Sequence, residues 1–99
     1  MIARHWRGLA KPACAEAYIE HLREETFPAI RRLEGFLEAS ILRRSVPEGV
    51  EFLIVTHWAS AKAIEAFAGA DADTAVVPPK VQEMMLDYDR RVRHYDVVP

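Results

Sequence analysis

Residues 37–58 read LEASILRRSVPEGVEFLIVTHW, and they carry the clearest fold signal in the chain. The second half, residues 50–58, is rich in the Val, Ile, Phe and Thr that favour β-strands. Pro47 and Gly49 suit the second and fourth positions of a type I turn. We therefore predict an antiparallel hairpin whose two strands are residues 37–45 and 50–58.

A strand and a helix are predicted before the hairpin. Apolar and polar residues alternate over residues 2–7, which is the pattern of a half-buried strand. Good helix formers, with apolar side chains at intervals of four, follow over residues 13–26. Because Pro28 disfavours helical geometry at the residue before it, we expect the helix to break or kink at Phe27.

A second helix and a last strand are predicted after the hairpin. Ser60 is a candidate N-cap for a helix that runs to Ala68 and ends at Gly69. Pro79 can open a further short helix, and residues 88–98 form the last strand. The order β-α-β-β-α-β predicts an α+β fold of the ferredoxin-like type, with a four-stranded antiparallel sheet and helices on one face.

Length and composition restrict the class of protein. The length predicts a single domain over residues 1–99, and a domain of this size buries only about two-thirds of its unfolded surface, which favours pairing with a second copy. A net charge of −2 argues against a nucleic-acid partner, which needs a basic face. No apolar run approaches the roughly 18 residues that cross a membrane. The only cysteine, Cys14, excludes an internal disulfide, so we expect a cytoplasmic protein.

The sheet face that the helices leave open is a candidate interface. If Trp6 and Trp58 face the helices, alternation along the strands sends another set to the opposite face: Ala3, His5, Arg7, Glu51, Leu53, Val55 and His57. Leu53 and Val55 lie in the middle of this set, where a fully solvated face would not need apolar residues. We therefore predict a homodimer that forms through the helix-free sheet face.

Arginine is concentrated on the predicted strands. Seven arginines lie there: Arg4, Arg7, Arg43, Arg44, Arg90, Arg91 and Arg93. One interpretation is an ion-pair network across the sheet and the dimer interface, and the other is a site for an anionic ligand. Both interpretations stay open at this point.

Four segments carry a family resemblance: Gly35-Phe36, Leu42-Arg43-Arg44, residues 52–60 running into 63–69, and the closing Arg93-His94-Tyr95-Asp96-Val97-Val98. Together they resemble the antibiotic biosynthesis monooxygenase (ABM) family of dimeric α+β barrels, over nearly all of the chain. The resemblance implies two sheets packed as a barrel in the dimer, with one pocket per subunit between sheet and helices. It also implies candidate activities, because some members oxygenate aromatic polyketides with O₂ and without flavin or metal, while others degrade haem or act on quinones.

Three positions bear on which of these activities the resemblance supports. Trp58 matches the family's Trp on the third strand, and its indole N–H can hydrogen-bond a substrate oxygen. Active members often carry Asn at a first-strand pocket position, which falls on or near Trp6, and this chain contains no Asn. Haem-degrading members take an axial His from the region after the second helix, but residues 61–93 contain no His. Haem degradation is therefore not expected.

Oxygenation without a cofactor needs a base, hydrogen-bond donors for the resulting oxyanion and a dry cavity. The predicted catalytic residues are Trp58, His94 and Tyr95. The predicted substrate-binding residues are Trp6, Phe27, Arg44, Phe67, Met84 and Arg90. His5 and His57 are further candidate bases, and Tyr18 and Tyr88 are further candidate donors. We expect no bound cofactor and no metal.

Two functions follow from these observations. The first is an ABM-type monooxygenase or oxidoreductase that acts on a small aromatic compound (a phenol, quinone or polyketide-like molecule) without a bound cofactor. The second is a non-catalytic small-molecule-binding or stress-related dimeric barrel protein, which the missing Asn favours. An RNA-recognition module shares the order of elements, but residues 49–54 lack its Lys/Arg-Gly-aromatic signature.

Overall fold

The computed structural model describes every residue, Met1–Pro99. Its strands are β1 (Ile2–Ala10), β2 (Phe36–Val46), β3 (Gly49–Trp58), β4 (Met85–Tyr88) and β5 (Arg93–Asp96). Its helices are α1 (Ala15–His21), α2 (Phe27–Ile30), α3 (Ala61–Ala68) and α4 (Pro79–Met84), with a 3₁₀ turn, Pro12–Cys14, before α1 and a π-helical turn, Leu22–Thr26, between α1 and α2. The predicted α+β fold of the ferredoxin-like type is confirmed.

The sheet is antiparallel throughout, and β1 lies at its centre. Its order is β2-β3-β1, and both β4 and β5 pair with the other edge of β1. In the hairpin of β2 and β3, Val46 pairs with Gly49, so that Pro47 and Glu48 form the connection. The predicted hairpin is therefore confirmed.

The last strand differs from the prediction, because residues 88–98 are not one continuous strand. Two short strands, β4 and β5, lie there instead, and between them the chain turns toward the loop that follows α3. Val92 N–H donates to the carbonyl of Asp73 (2.7 Å), and Ala75 N–H donates to the carbonyl of Arg90 (2.9 Å). In a continuous strand these backbone groups would bond to a neighbouring strand. Here they bond to the loop after α3 instead, so they stay hydrogen-bonded although the strand is interrupted.

The helical region also differs from the prediction at Phe27. This residue has helical angles (φ −65°, ψ −40°), and its N–H donates to the carbonyl of Leu22, five residues back. Pro28 lacks an N–H, and its ring would clash with the carbonyl four residues earlier in a regular α-helix. The wider π-helical turn removes that clash, so the chain continues as helix through the proline.

The core lies between the helices and one face of the sheet. Its largest fully buried side chains are Trp58, Phe52 and Ile64. Ser60 caps α3 as predicted, because its Oγ accepts from the N–H of Ala63 (3.2 Å). Trp6 and Trp58 both pack on the helix side, so the predicted composition of the opposite face is confirmed.

On that helix-free face, residues of β1 and β3 lie side by side in the pairs Ala3 with His57, His5 with Val55, and Arg7 with Leu53. Tyr95 packs against His5 with the ring centroids 4.9 Å apart. Glu51 accepts from both Arg7 and Arg44, each at 2.7 Å. The face therefore combines an apolar centre with a paired charge cluster.

Candidate functional site

A small cavity lies between the helical region and the sheet. Its volume is about 70 Å³, and most of its lining is apolar. The polar groups that reach it come from three places: Arg4 on β1, Thr56 on β3, and Tyr18, His21 and Thr26 on the helical region. A wider groove of about 460 Å³ adjoins the cavity, and six residues line both: His21, Thr26, Ile30, Phe67, Val76 and Pro78.

Arg4 is the only cation in the cavity wall, and it is almost fully buried. Its guanidinium donates to the carbonyls of Ala72 and Thr74 (2.9 Å for Thr74), and its carbon Cζ lies 5.5 Å from the ring centre of Phe67. Burial lowers the pKa of Arg4 to about 10, although the negative charge of Asp73 opposes this shift. None of its hydrogen-bond partners is a carboxylate, so its positive charge is not directly neutralised.

His94 lies behind Arg4 and outside the cavity lining. Its Nε2 is 3.0 Å from Nη1 of Arg4, and its Nδ1 is 2.9 Å from the Asp73 carboxylate. Arginine can only donate, so Nε2 must accept and Nδ1 must carry the proton that bonds Asp73. His94 therefore contacts the cavity through Arg4.

Trp58 is fully buried and lies behind Thr56. Its indole N–H donates to the Thr56 hydroxyl oxygen (2.8 Å), and its ring stacks on Phe67 at a centroid distance of 5.9 Å. Because the indole occupies a lone pair of that oxygen, the hydroxyl proton of Thr56 remains available as a donor. Trp58 orients a cavity group and does not line the cavity itself.

Two residues of α1 face the cavity. Tyr18 is 2% exposed, and burial raises the pKa of its hydroxyl well above the ordinary value. His21 is also buried, and its Nδ1 lies 3.1 Å from the Glu25 carboxylate. Lys80 Nζ donates to the same carboxylate oxygen at 2.8 Å. A hydrogen bond from Lys80 and a second from His21 lower the pKa of Glu25.

The structure brings some of the predicted site residues together. Trp6, Phe27 and Phe67 line the cavity. Trp58 and His94 each contact a lining residue, Thr56 and Arg4 respectively.

The other predicted site residues lie elsewhere. Tyr95 and Arg44 are on the helix-free face, where they contact His5 and Glu51. Met84 packs against the core from the end of α4. Arg90 is exposed, and its guanidinium carbon lies 5.2 Å from the ring centre of Tyr88.

Sequence reasoning did not single out Arg4, His21 or Thr56 as site residues. The sequence pattern could have identified Arg4 and Thr56, because strand alternation places them on the same sheet face as Trp6 and Trp58. His21 follows Tyr18 by three residues and precedes Glu25 by four, which puts all three on one helical face. That spacing was a signal for a histidine paired with a carboxylate.

The structure contains no cluster of three or more His, Cys, Asp or Glu side chains that could bind a metal ion. None of the helices is long and apolar enough to cross a membrane. What the site does combine is one buried cation, hydroxyl donors and a histidine paired with a carboxylate, within apolar walls. Such a set of groups suits the binding and ionisation of a small molecule with an acidic hydroxyl.

A ferredoxin-like antiparallel sheet with a largely apolar cavity beneath its helices defines the class as a small α+β protein. The chain belongs to the antibiotic biosynthesis monooxygenase family, whose sequence model matches residues 1–78. No curated protein matches the chain.

Solved structures share the fold. A candidate antibiotic biosynthesis monooxygenase from Caulobacter crescentus CB15 matches with a TM-score of 0.73 at 18% identity, over 99% of this chain and 90% of that chain. Protein SO0527 from Shewanella oneidensis matches with a TM-score of 0.71 at 21% identity, over 95% and 87%. The haem-degrader MhuD from Mycobacterium tuberculosis, with two haems bound in its active site, matches with a TM-score of 0.58 at 24% identity, over 98% and 96%. At these identities the likeness establishes the fold alone.

Proposed function

We propose that the protein is a monooxygenase or related oxidoreductase that acts, without a bound cofactor, on a small aromatic compound bound as an anion. The observation that carries the proposal is the buried Arg4, which faces an apolar cavity without a carboxylate partner. An ionised phenol or enol oxygen would compensate that charge in a site of low dielectric, where the attraction is strong.

Other cavity residues support binding of such an anion. The hydroxyls of Tyr18 and Thr56 lie in the same lining as Arg4 and can donate to an oxygen. Trp6, Phe27 and Phe67 supply flat apolar surface for a ring. The cavity alone is smaller than a polycyclic molecule, so the reacting edge would enter it while the remaining rings lie in the adjoining groove.

The reaction would draw its electrons from the substrate. Deprotonation makes an anthrone-like compound electron-rich enough to react directly with O₂. One oxygen atom replaces the two hydrogens of the ring methylene as a carbonyl, and the other oxygen leaves with those hydrogens as water. This stoichiometry needs no external reductant, so the protein's task is to ionise, hold and desolvate the substrate.

The direct test is O₂ consumption with anthrone, whose enol form is a phenol. We expect the wild type to convert anthrone to anthraquinone, and Arg4→Gln to lose at least about tenfold in kcat/KM because the oxyanion loses its cation. Arg43→Gln is the matched control, since Arg43 is an exposed arginine that pairs with Glu16 on the surface. Equal rates for wild type and Arg4→Gln would contradict the proposal.

A second candidate function is non-catalytic sequestration of the same kind of anion. The observation that favours it is the absence of Asn from the chain, because active members of the family often carry Asn at a pocket position on the first strand. A protein that binds 4-nitrophenolate through Arg4 but leaves anthrones and quinols unoxidised would support this function over the first.

We further propose that two copies pair through the helix-free face. Leu53 and Val55 lie at its centre, and Leu42 and Tyr95 are about half exposed at 50% and 49%. Covering these side chains would remove apolar surface from water. Sedimentation should find a dimer for the wild type and a monomer for Val55→Asp, and a wild-type monomer at micromolar concentration would contradict the proposal.

A further inference from the structure

His21 differs from the other histidines because it borders both the cavity and the groove. It is the last residue of α1, and its side chain is only 6% exposed. His5 and His57 lie on the helix-free face, and His94 lies behind Arg4. His21 is thus the one histidine that a ligand in the cavity can touch.

The hydrogen bonds of His21 define which ring nitrogen is free. Glu25 accepts from Lys80 and lies 3.1 Å from His21 Nδ1, and the low pKa of Glu25 keeps its carboxylate ionised. An ionised carboxylate can only accept a hydrogen bond, so Nδ1 carries a proton, and in the neutral imidazole Nε2 then keeps its lone pair. Nε2 has no hydrogen-bond partner in the protein.

We infer that His21 is the general base of this site, taking the hydroxyl proton of the bound phenol or enol on Nε2. The inference rests on the proposed function, since it assigns the proton acceptor for the same ligand. The O–H bond of the ligand breaks, its electron pair stays on the oxygen that Arg4 faces, and the proton forms a new N–H bond on the imidazole. Glu25 and Lys80 are positioning residues, because they act through His21.

Two of the charges near His21 favour this transfer. Glu25, on the next helical turn, faces the imidazolium that forms, while Arg4 on β1 faces the oxyanion. Lys80 on α4 is already paired with Glu25, and Tyr18 stays neutral because burial raises its pKa. Each new charge therefore meets a fixed charge of opposite sign, which is how preorganised sites stabilise charge separation.

The test counts protons and uses 4-nitrophenol, which is colourless when neutral and yellow when ionised. The full chain and the probe are mixed in weakly buffered solution at a pH near the pKa of the free phenol, which is about half a unit above the ordinary pKa of histidine. Protons are counted for each probe molecule that becomes ionised on binding. Absorbance reports ionisation of the bound probe, and an indicator reports protons released. We expect the wild type to turn the probe yellow while releasing almost no protons, because the proton moves to His21.

Three variants distinguish the role of His21 as a base from its role in binding the probe. His21→Gln should bind the probe in its neutral form or release about one proton for each ionised probe, because the acceptor is gone. Glu25→Gln changes an exposed residue and keeps the fold, and it should raise proton release partway. Glu20→Gln, an exposed glutamate of the same helix, is the matched control and should behave as wild type.

Each contrary result has one meaning. If the wild type releases about one proton for each yellow probe, or binds the probe without ionising it, His21 is not the base while the binding site stands. If the wild type fails to bind 4-nitrophenolate even at a pH above the pKa of the phenol, the proposed function itself is wrong.

Discussion

His94 Nε2 lies 3.0 Å from Arg4 Nη1, and it can only be the acceptor of that hydrogen bond. The same guanidinium donates to the carbonyls of Ala72 and Thr74, and His94 also bonds Asp73. One buried cation therefore connects β1, β5 and the loop after α3. This loop supplies Val76 to the cavity wall, so the cation that faces the ligand also holds part of the wall in place.

Removal of the His94 side chain should loosen this arrangement. We expect His94→Ala to lower the free energy of unfolding by about 1–2 kcal/mol, because a buried guanidinium loses one acceptor. Affinity for 4-nitrophenolate should fall several-fold, because Arg4 is less well held. Urea unfolding and equilibrium titration measure the two effects, and Arg93→Ala, an exposed neighbour on β5, is the control. An unchanged affinity would show that Arg4 does not depend on His94.

Trp58 and Thr56 should be energetically coupled through their 2.8 Å hydrogen bond. Thr56→Val leaves a buried indole N–H without an acceptor, which costs about 1–3 kcal/mol of unfolding free energy. Trp58→Phe should lower the free energy of unfolding less in the Thr56→Val background than in the wild type, because in that background it removes an indole N–H that has no acceptor. A double-mutant cycle measured by urea unfolding tests this, and additive costs would rule out the coupling.

Gly8 is required by the position of the Trp6 ring. A Cβ at this residue would lie 2.8 Å from Cζ3 of Trp6 and 3.0 Å from Sδ of Met85. Gly8→Ala should therefore lower the unfolding free energy by about 1–3 kcal/mol and displace the indole that lines the cavity. Trp6→Phe added to Gly8→Ala should recover part of the loss, and a Gly8→Ala variant as stable as wild type would contradict the contact.

Glu51 should make the protein sensitive to acid. Hydrogen bonds from Arg44 and then Arg7 lower the pKa of Glu51 below its ordinary value of 4.5. A carboxylate with a lowered pKa in the folded state stabilises the fold above its unfolded value and loses that contribution as the pH falls through the folded value. Urea unfolding at a series of pH values below about 5 should show a steeper loss for wild type than for Glu51→Gln. Glu48→Gln, an exposed turn residue, should follow the wild type.

The elements that local chemistry determines were predictable from sequence. The hairpin turn at Pro47 and the cap at Ser60 depend on residues within a few positions, and both are confirmed. The backbone geometry of Phe27 was predicted wrongly, because a π-helical turn accommodates Pro28 in a way that a local steric rule does not include. The division of the last strand depends on the loop after α3, which no local pattern places beside β5.

The candidate site was less predictable from sequence than the fold, because sequence does not show which arginines pair with carboxylates. Arg7, Arg43, Arg44 and Arg91 form ion pairs, as one of the two interpretations held. Only Arg4 is buried at the cavity, as the anionic-ligand interpretation requires. Arginines of these two kinds look alike in sequence, because long-range packing decides which one has a carboxylate nearby.

In the proposed function, the cavity binds an ionised aromatic oxygen on Arg4. A structure of the protein with 4-nitrophenolate would show where such an oxygen lies. We predict that the phenolate oxygen lies within hydrogen-bond distance of the Arg4 guanidinium, with the ring between Trp6 and Phe67 and with His21 Nε2 within reach of the oxygen. A phenolate found on the helix-free face, with nothing bound in the cavity, would contradict the claim.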